Sequence, residues 1–221
     1  MSATTALVTP QELLIDGMRA LQVAIDPAAS AKLIDFVTLL AKWNRTHNLT
    51  AIREPSQMIT HHVLDALAVV PHLPARASLT VLDVGTGGGV PGIPIAITRP
   101  EWRVTLLDSN HKKAAFLTQA KLELGLRNVD VVVSRIEDYR PAQRFDVVIS
   151  RAFSDLRTFV DGSLSSVADD GWLVAMKGVM PDDEIAALPA TVKLEATPAL
   201  VVPGLAASRH LVVMRPDIHS A

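Results

Sequence analysis

The chemistry-bearing residues of this chain gather around one glycine-rich stretch, Val81-Leu82-Asp83-Val84-Gly85-Thr86-Gly87-Gly88-Gly89-Val90-Pro91-Gly92-Ile93-Pro94. It follows an apolar, β-branched run and leads into a helical segment. Glycines there let the backbone turn sharply and come close to a ligand. A nicotinamide dinucleotide and S-adenosylmethionine both use such a turn. Asp83 helps to separate them: a carboxylate two residues before the first glycine would repel a pyrophosphate, which dinucleotide folds seat on free helix amides. It suits a cofactor without phosphate that carries an ammonium and a sulfonium. A second acid, Asp108, closes the run Val104-Thr105-Leu106-Leu107-Asp108, where a carboxylate can accept from ribose hydroxyls. The pair favours S-adenosylmethionine over NAD. Beyond the next strand, Ser134-Arg135-Ile136-Glu137-Asp138 stands where ligands of open α/β sheets lie, and this turn can wall an adenine.

The run Phe145-Asp146-Val147-Val148-Ile149 ends in Ser150-Arg151-Ala152-Phe153, and this limits what could accept a methyl group. There is no Asn/Asp-Pro-Pro-aromatic loop of the kind shared by methyltransferases acting on exocyclic base amines. The chain has no cysteine, which excludes thiolate attack on a pyrimidine, disulfides and thiolate metal sites. What remains is a nucleophile that already owns a lone pair, such as guanine N7. It needs no general base, only alignment. Arg151 sits where such a base would arrive and can serve its O6, a phosphate or the methionine carboxylate; an ion pair with an acid such as Asp155 is the plainer alternative. Lys112, Lys113, Arg135, Arg151 and Lys177 all fall just past expected strand ends, so they can converge into a patch for RNA phosphates. Taken singly, each could be an ordinary solvated cation. The neighbours His61 and His62 point apart on a helix, which suits capping, packing or RNA contact better than a metal.

These residues need a frame. Of 221 residues, 49% are hydrophobic and only 4% aromatic, so a sizeable core must be built from aliphatic side chains. The formal charge of −2 confines any polyanion site to a local patch. No signal-peptide pattern is read at the start, and the apolar runs fall far short of the ~18 residues of a membrane span. The expectation is a soluble, cytoplasmic protein with no membrane partner. Before Pro74 the chain reads as helical, with Thr9-Pro10-Gln11-Glu12 as a capping box before Leu13–Val23. A second helix carries Leu33, Val37, Leu40 and Ala41 up to Trp43, and a third runs from Pro55 to Val70. From Leu79, buried strands at 79–84, 103–107, 129–133, 145–149 and 172–176 alternate with helices, including His111–Leu124 stopped by Gly125. This predicts a Rossmann-like α/β fold with a mostly parallel sheet. At the end, 193–202 and 209–214 around Pro203-Gly204 must pair antiparallel. The expected organisation is a helical cap, 1–75, and a methyltransferase-type domain, 76–221, forming one compact unit.

The order of several short motifs carries a resemblance. Trp43-Asn44 with Asn48-Leu49-Thr50, His62-Val63-Leu64-Asp65, the glycine loop, Leu106-Leu107-Asp108-Ser109, Ser150-Arg151-Ala152 and Met176-Lys177-Gly178 follow one another. Together they resemble the glucose-inhibited division protein B family, bacterial small-subunit ribosomal RNA guanine-N7 methyltransferases. The likeness runs from about residue 30 to Met214. It implies transfer of a methyl group from S-adenosylmethionine to N7 of one guanine in 16S ribosomal RNA, naked, in the subunit or in an assembly intermediate. It further implies cofactor contacts at Gly85, Val90, Ile136, Glu137 and Arg151, with Asp108 near the ribose. RNA engagement falls on Lys112, Lys113, Arg135, Arg151 and Lys177. Gly88 departs from the family, where proline is frequent, and costs loop rigidity. Two other readings stand beside it: an NAD-dependent oxidoreductase, and a non-catalytic RNA-binding module on the same fold.

Overall fold

The computed structural model describes residues 9–24, 26–151 and 153–217. Residues 1–8 and 218–221 of the two expected domains, and Ala152 of the Ser150-Arg151-Ala152 motif, lie outside them. Helix α1 (Pro10–Ala20) opens on the capping box expected from its sequence: Thr9 Oγ1 accepts from the Glu12 amide, and the Glu12 carboxylate accepts from the Thr9 amide. Helix α2 (Pro27–His47) is capped by Asp26 and ends on Asn48 in the left-handed region, φ 49°. The third helix is not one regular element. A short α3 (Pro55–Met58) passes into a π-helical segment, Ile59–Leu64, and then α4 (Asp65–Leu67). The wider π turn carries His61 and His62; such segments are rare and frequently lie at functional sites.

Seven strands form one sheet among the described residues: β1 (Thr80–Val84), β2 (Arg103–Asp108), β3 (Val129–Val133), β4 (Phe145–Arg151), β5 (Val167–Lys177), β6 (Val192–Ala196) and β7 (His210–Pro216), in the order β3-β2-β1-β4-β5-β7-β6. β1 to β5 run parallel, and β7 pairs antiparallel with both β5 and β6. Antiparallel pairing of the last two strands matches the sequence, but their form does not. β6 ends at Ala196, and Pro203-Gly204 lies within a long connection held by a lone bridge between Ala199 and His210. β5 also begins earlier than its apolar run, because Ala168–Gly171 bulges out between the pairs Phe145–Val167 and Val147–Trp172.

Helices α1 to α6, where α5 is Gly92–Thr98 and α6 is His111–Glu123, cover one face of the sheet, with Leu14, Phe36, Leu40, Ile93 and Phe116 packed on Val81 and Ile149. Helix α7 (Leu156–Ser163) covers the other through Phe159 and Val160 against Val148 and Leu173. Leu33, Phe36 and Leu40 are fully buried in the shared core. Each such side chain stabilises the fold by about 1.5–3 kcal/mol. The cap helices are therefore part of the core that holds the strand ends in place.

Candidate active site

Chain order reverses between β1 and β4: β2 and β3 lie to one side and β5 to the other. The crevice at the carboxyl ends of such strands is the ligand position of an open α/β sheet. Ser150 locks it by donating from Oγ to the Val84 carbonyl at 2.8 Å.

The glycine loop is braced from beneath by Asp83, which is fully buried. Its Oδ2 accepts from Thr86 Oγ1 at 2.5 Å and from the Gly92 amide at 2.8 Å, while Oδ1 is buried with no hydrogen-bond partner. Burial pushes this carboxyl up to about 6, against the lowering effect of those two donors. The expectation that Asp83 presents its charge to a cofactor ammonium is corrected: it points inward and supports the loop. The support needs Gly92, since a Cβ there would collide with Leu106 and come within 2.8 Å of Asp83 Oδ2. Leu40 of α2 packs over Gly88, 3.1 Å from where a Cβ would stand, so the cap holds the loop from above.

Asp108 is the second brace. Its Oδ2 accepts from the Gly87 amide and its Oδ1 from the Asn110 amide, both at 2.9 Å, with Lys113 Nζ 3.7 Å away. It lines a cleft of about 270 Å³ with Gly85, Lys113, Arg135, Ile136, Glu137 and Phe153. Gly85 stands at φ +67°, and a Cβ on it would meet nothing within 4 Å. The backbone thus needs glycine for its conformation and leaves open space in front. Glu137 lies in a short 3₁₀ turn, Ile136–Asp138, and its exposed carboxylate lines this cleft with no hydrogen-bond partner among the described residues. Two carboxylate acceptors with apolar Leu107, Ile136 and Phe153 make a lining that suits a cation with ribose hydroxyls and an aromatic base. Val90 is buried behind the loop, its amide bonded to the Thr86 carbonyl.

Arg151 faces a second cleft, of about 390 Å³, with Ile52, His61, His62, Asp65, Lys177 and Arg209. Its Nη1 donates to the His61 carbonyl at 3.0 Å and lies 3.3 Å from Asp65 Oδ2. The partner acid is thus Asp65 of the cap; Asp155 is occupied in capping α7 through Thr158. His62 is buried, its Nε2 bonded to Thr50 Oγ1 at 2.8 Å. Burial, with the Arg151 guanidinium beside it, holds its imidazole down at about 4, so it is neutral at physiological pH. Lys177 is bonded to Glu184 of α8 (Asp182–Ala186) at 2.8 Å, and the same carboxylate accepts from the Leu156 amide. Lys112 is exposed on the first turn of α6 and lines neither cleft.

Comparison with known proteins places this geometry. The model of one family, described as rRNA small subunit methyltransferase G, matches residues 29–212. A protein of that name from Nitrosospira multiformis is 50% identical over 215 residues, covering 94% of this chain and 98% of its own length. Another from an Azoarcus species is 54% identical over 201 residues, covering 91% and 94%. The chain belongs to the rRNA small subunit methyltransferase G family. Solved structures support the fold: TrmN from Thermus thermophilus aligns with a TM-score of 0.56 at 19% identity, over 72% of this chain and 53% of that one. A SAM-dependent methyltransferase from Aquifex aeolicus gives 0.54 at 18%, over 79% and 97%.

Within this family member, the expected residues other than Val90 and Lys112 divide between two clefts that share the exit of β4, with Arg151 facing one and Phe153 the other. Asp65 and Arg209 were missed by reasoning from residue type. Asp65 stood in the His62–Asp65 motif, but only the helix-to-sheet packing shows what it pairs with.

Proposed function

We propose that the protein methylates N7 of a specific guanine in 16S ribosomal RNA, using S-adenosylmethionine held at the glycine loop. The observation that carries this reading is the pair of clefts flanking the end of β4, one lined by free or loop-bracing carboxylates and the other by arginines. When bound, S-adenosylmethionine supplies an electrophilic methyl group on sulfur. Asp108 and Glu137 are the acceptors for its hydroxyl and base edges, with Gly85 leaving the backbone bare for its approach. A dinucleotide pyrophosphate would have to lie against those same carboxylates, so the oxidoreductase alternative finds no support here.

The second cleft takes the base. N7 would bring its own lone pair to the methyl carbon while the carbon–sulfur bond breaks with its electrons on the departing neutral thioether. No proton would leave, so no general base is required, and His62 and Asp83 are buried and engaged in any case. Arg151, with Nε and Nη2 unbonded among the described residues, has donors for guanine O6 or a flanking phosphate while leaving N7 free. Lys112, Lys113 and Arg135 extend a positive rim from the first cleft towards RNA phosphates, which fix position without reading sequence. Catalysis is then alignment in a fixed frame, a source of several orders of magnitude by itself. The test is incubation with methyl-labelled cofactor and small-subunit RNA or subunits, followed by mapping of the label. Label on a guanine N7 supports the reading; binding of RNA with no transfer would favour a non-catalytic RNA-binding module.

A further inference from the structure

Asp65 divides one buried carboxylate between two arginines. Its side chain is 2% exposed, Oδ1 accepts from Arg209 Nε at 2.9 Å, and Oδ2 lies 3.3 Å from Arg151 Nη1. The two arginines arrive from opposite directions in the fold, Arg151 at the end of β4 and Arg209 one residue before β7. Every other anchor on them is a main-chain or ring acceptor. Arg151 Nη1 also reaches the His61 carbonyl and His62 Nδ1, and Arg209 Nη1 donates to the Ser208 carbonyl. Each guanidinium is thus pinned by one side and keeps a free one: Nε and Nη2 of Arg151, and Nη2 of Arg209, have no partner among the described residues. The remaining cation of the cleft, Lys177, is neutralised by Glu184. One acid against two arginines leaves a single net positive charge, presented on fixed donors.

We propose that Asp65 is a positioning residue for methyl transfer, holding Arg151 and Arg209 as a two-armed receptor for the acceptor oxygens of the incoming guanosine nucleotide. This deepens the reading above and rests on it. Asp65 itself does not touch substrate; it acts through the arginines, and the π turn of the cap is what brings it between them. Removing its charge should free both side chains from their common anchor. Attraction to RNA then survives or grows, and orientation is lost.

Single-turnover transfer with enzyme in excess, saturating cofactor and small-subunit RNA, reads the rate constant separately from the active fraction. In Asp65→Asn the rate constant should fall roughly tenfold to a hundredfold, the range that misplacement near a reacting centre produces. Cofactor affinity by calorimetry should match wild type. RNA affinity should be undiminished, with a salt slope steeper by roughly one, because a compensating charge has gone. A merely structural role would lower the reaction amplitude and leave the rate constant and slope alone, which would overturn the proposal. If Asp65→Asn does not fold, Arg209→Lys keeps the charge but loses the fork; it should show the same fall in rate constant, and a wild-type rate constant there counts equally against the positioning role. The wild type guards the underlying reading: no transfer by it sinks the methyltransferase assignment, whereas normal transfer by both proteins sinks only the role of Asp65.

Discussion

Two carboxylates, Asp83 and Asp108, stand at the carboxyl ends of the neighbouring strands β1 and β2, and their surroundings give each a different task. Asp108, hydrogen-bonded and largely buried, is the one of the two that lines the first cleft. Asp108→Ala should weaken S-adenosylmethionine binding by about 1.5–3 kcal/mol, the worth of a hydrogen bond to a charged group; calorimetry on folded protein that found unchanged affinity would exclude a cofactor role. Gly85→Val should abolish cofactor binding, since the added side chain projects into the cleft. Part of its cost is conformational, about 1–2 kcal/mol for an L-residue held in the left-handed region, so a thermal melt must accompany the titration. Asp83 is a different case. Its carboxyl, raised to about 6 by burial, binds a proton more readily in the folded than in the unfolded chain. The penalty for its charge is fully present above about pH 6 and fades as pH falls towards the ordinary carboxylate range. Asp83→Asn, which has no charge to bury, should therefore gain stability relative to wild type at pH 8 and lose that advantage at pH 4.5. A difference in denaturation midpoint that does not vary with pH would contradict this account.

At the scale of elements, the most informative piece is the π segment Ile59–Leu64, which sets His62 and Asp65 against the end of β4. His62 is neutral in the fold and has a value near 4, below its ordinary 6.5. The unfolded chain takes up that proton first, so the stabilising effect of a neutral His62 is complete above about pH 6.5 and is lost as pH falls towards 4. His62→Gln should flatten the acid limb of the stability curve in that window; an acid limb identical to wild type would show that the imidazole does not titrate there. This element was also hard to foresee. The strands β1, β2 and β4 were legible because residues buried on both faces leave nearly unbroken apolar runs. β3, expected to be buried, is instead an edge strand with Val133 exposed, and was legible through its β-branched residues. Asp108 and the glycine loop were legible because strand ends are marked by the change from apolar to polar. The π turn leaves no such trace, because one extra residue in a turn scarcely disturbs helical spacing. The Ala168–Gly171 bulge hid the start of β5 by placing two aspartates inside the strand. The early end of β6 was masked by an apolar run, Ala199–Val202, that packs as loop. Side-chain pairings such as Arg151 with Asp65 depend on which helix lies over which strand, and spacing along the chain carries no record of that.

For the molecule as a whole, a formal charge of −2 means that attraction to RNA must come from one rim of the sheet. On that rim the cations are unequal. Lys112 and Arg135 have no ion-pair partner among the described residues, whereas Lys177 is held by Glu184. Lys112→Ala and Arg135→Ala should each flatten the salt dependence of RNA binding by roughly one unit of slope. Lys177→Ala should change it less, because the Lys177 charge is already compensated by Glu184 instead of being offered to a phosphate. Equal slopes for all three variants would show that RNA pulls Lys177 out of its pair. The strand order has a bearing on when this surface can first exist. β7 slots between β5 and β6 although it follows both in sequence, and Arg209 stands at its threshold. During synthesis, β1 to β5 can assemble as they leave the ribosome, but β6 has no neighbour to pair with until β7 emerges. The guanine receptor proposed above is thus completed last, so a nascent chain halted before Arg209 would carry the proposed cofactor cleft without the second arm of that receptor.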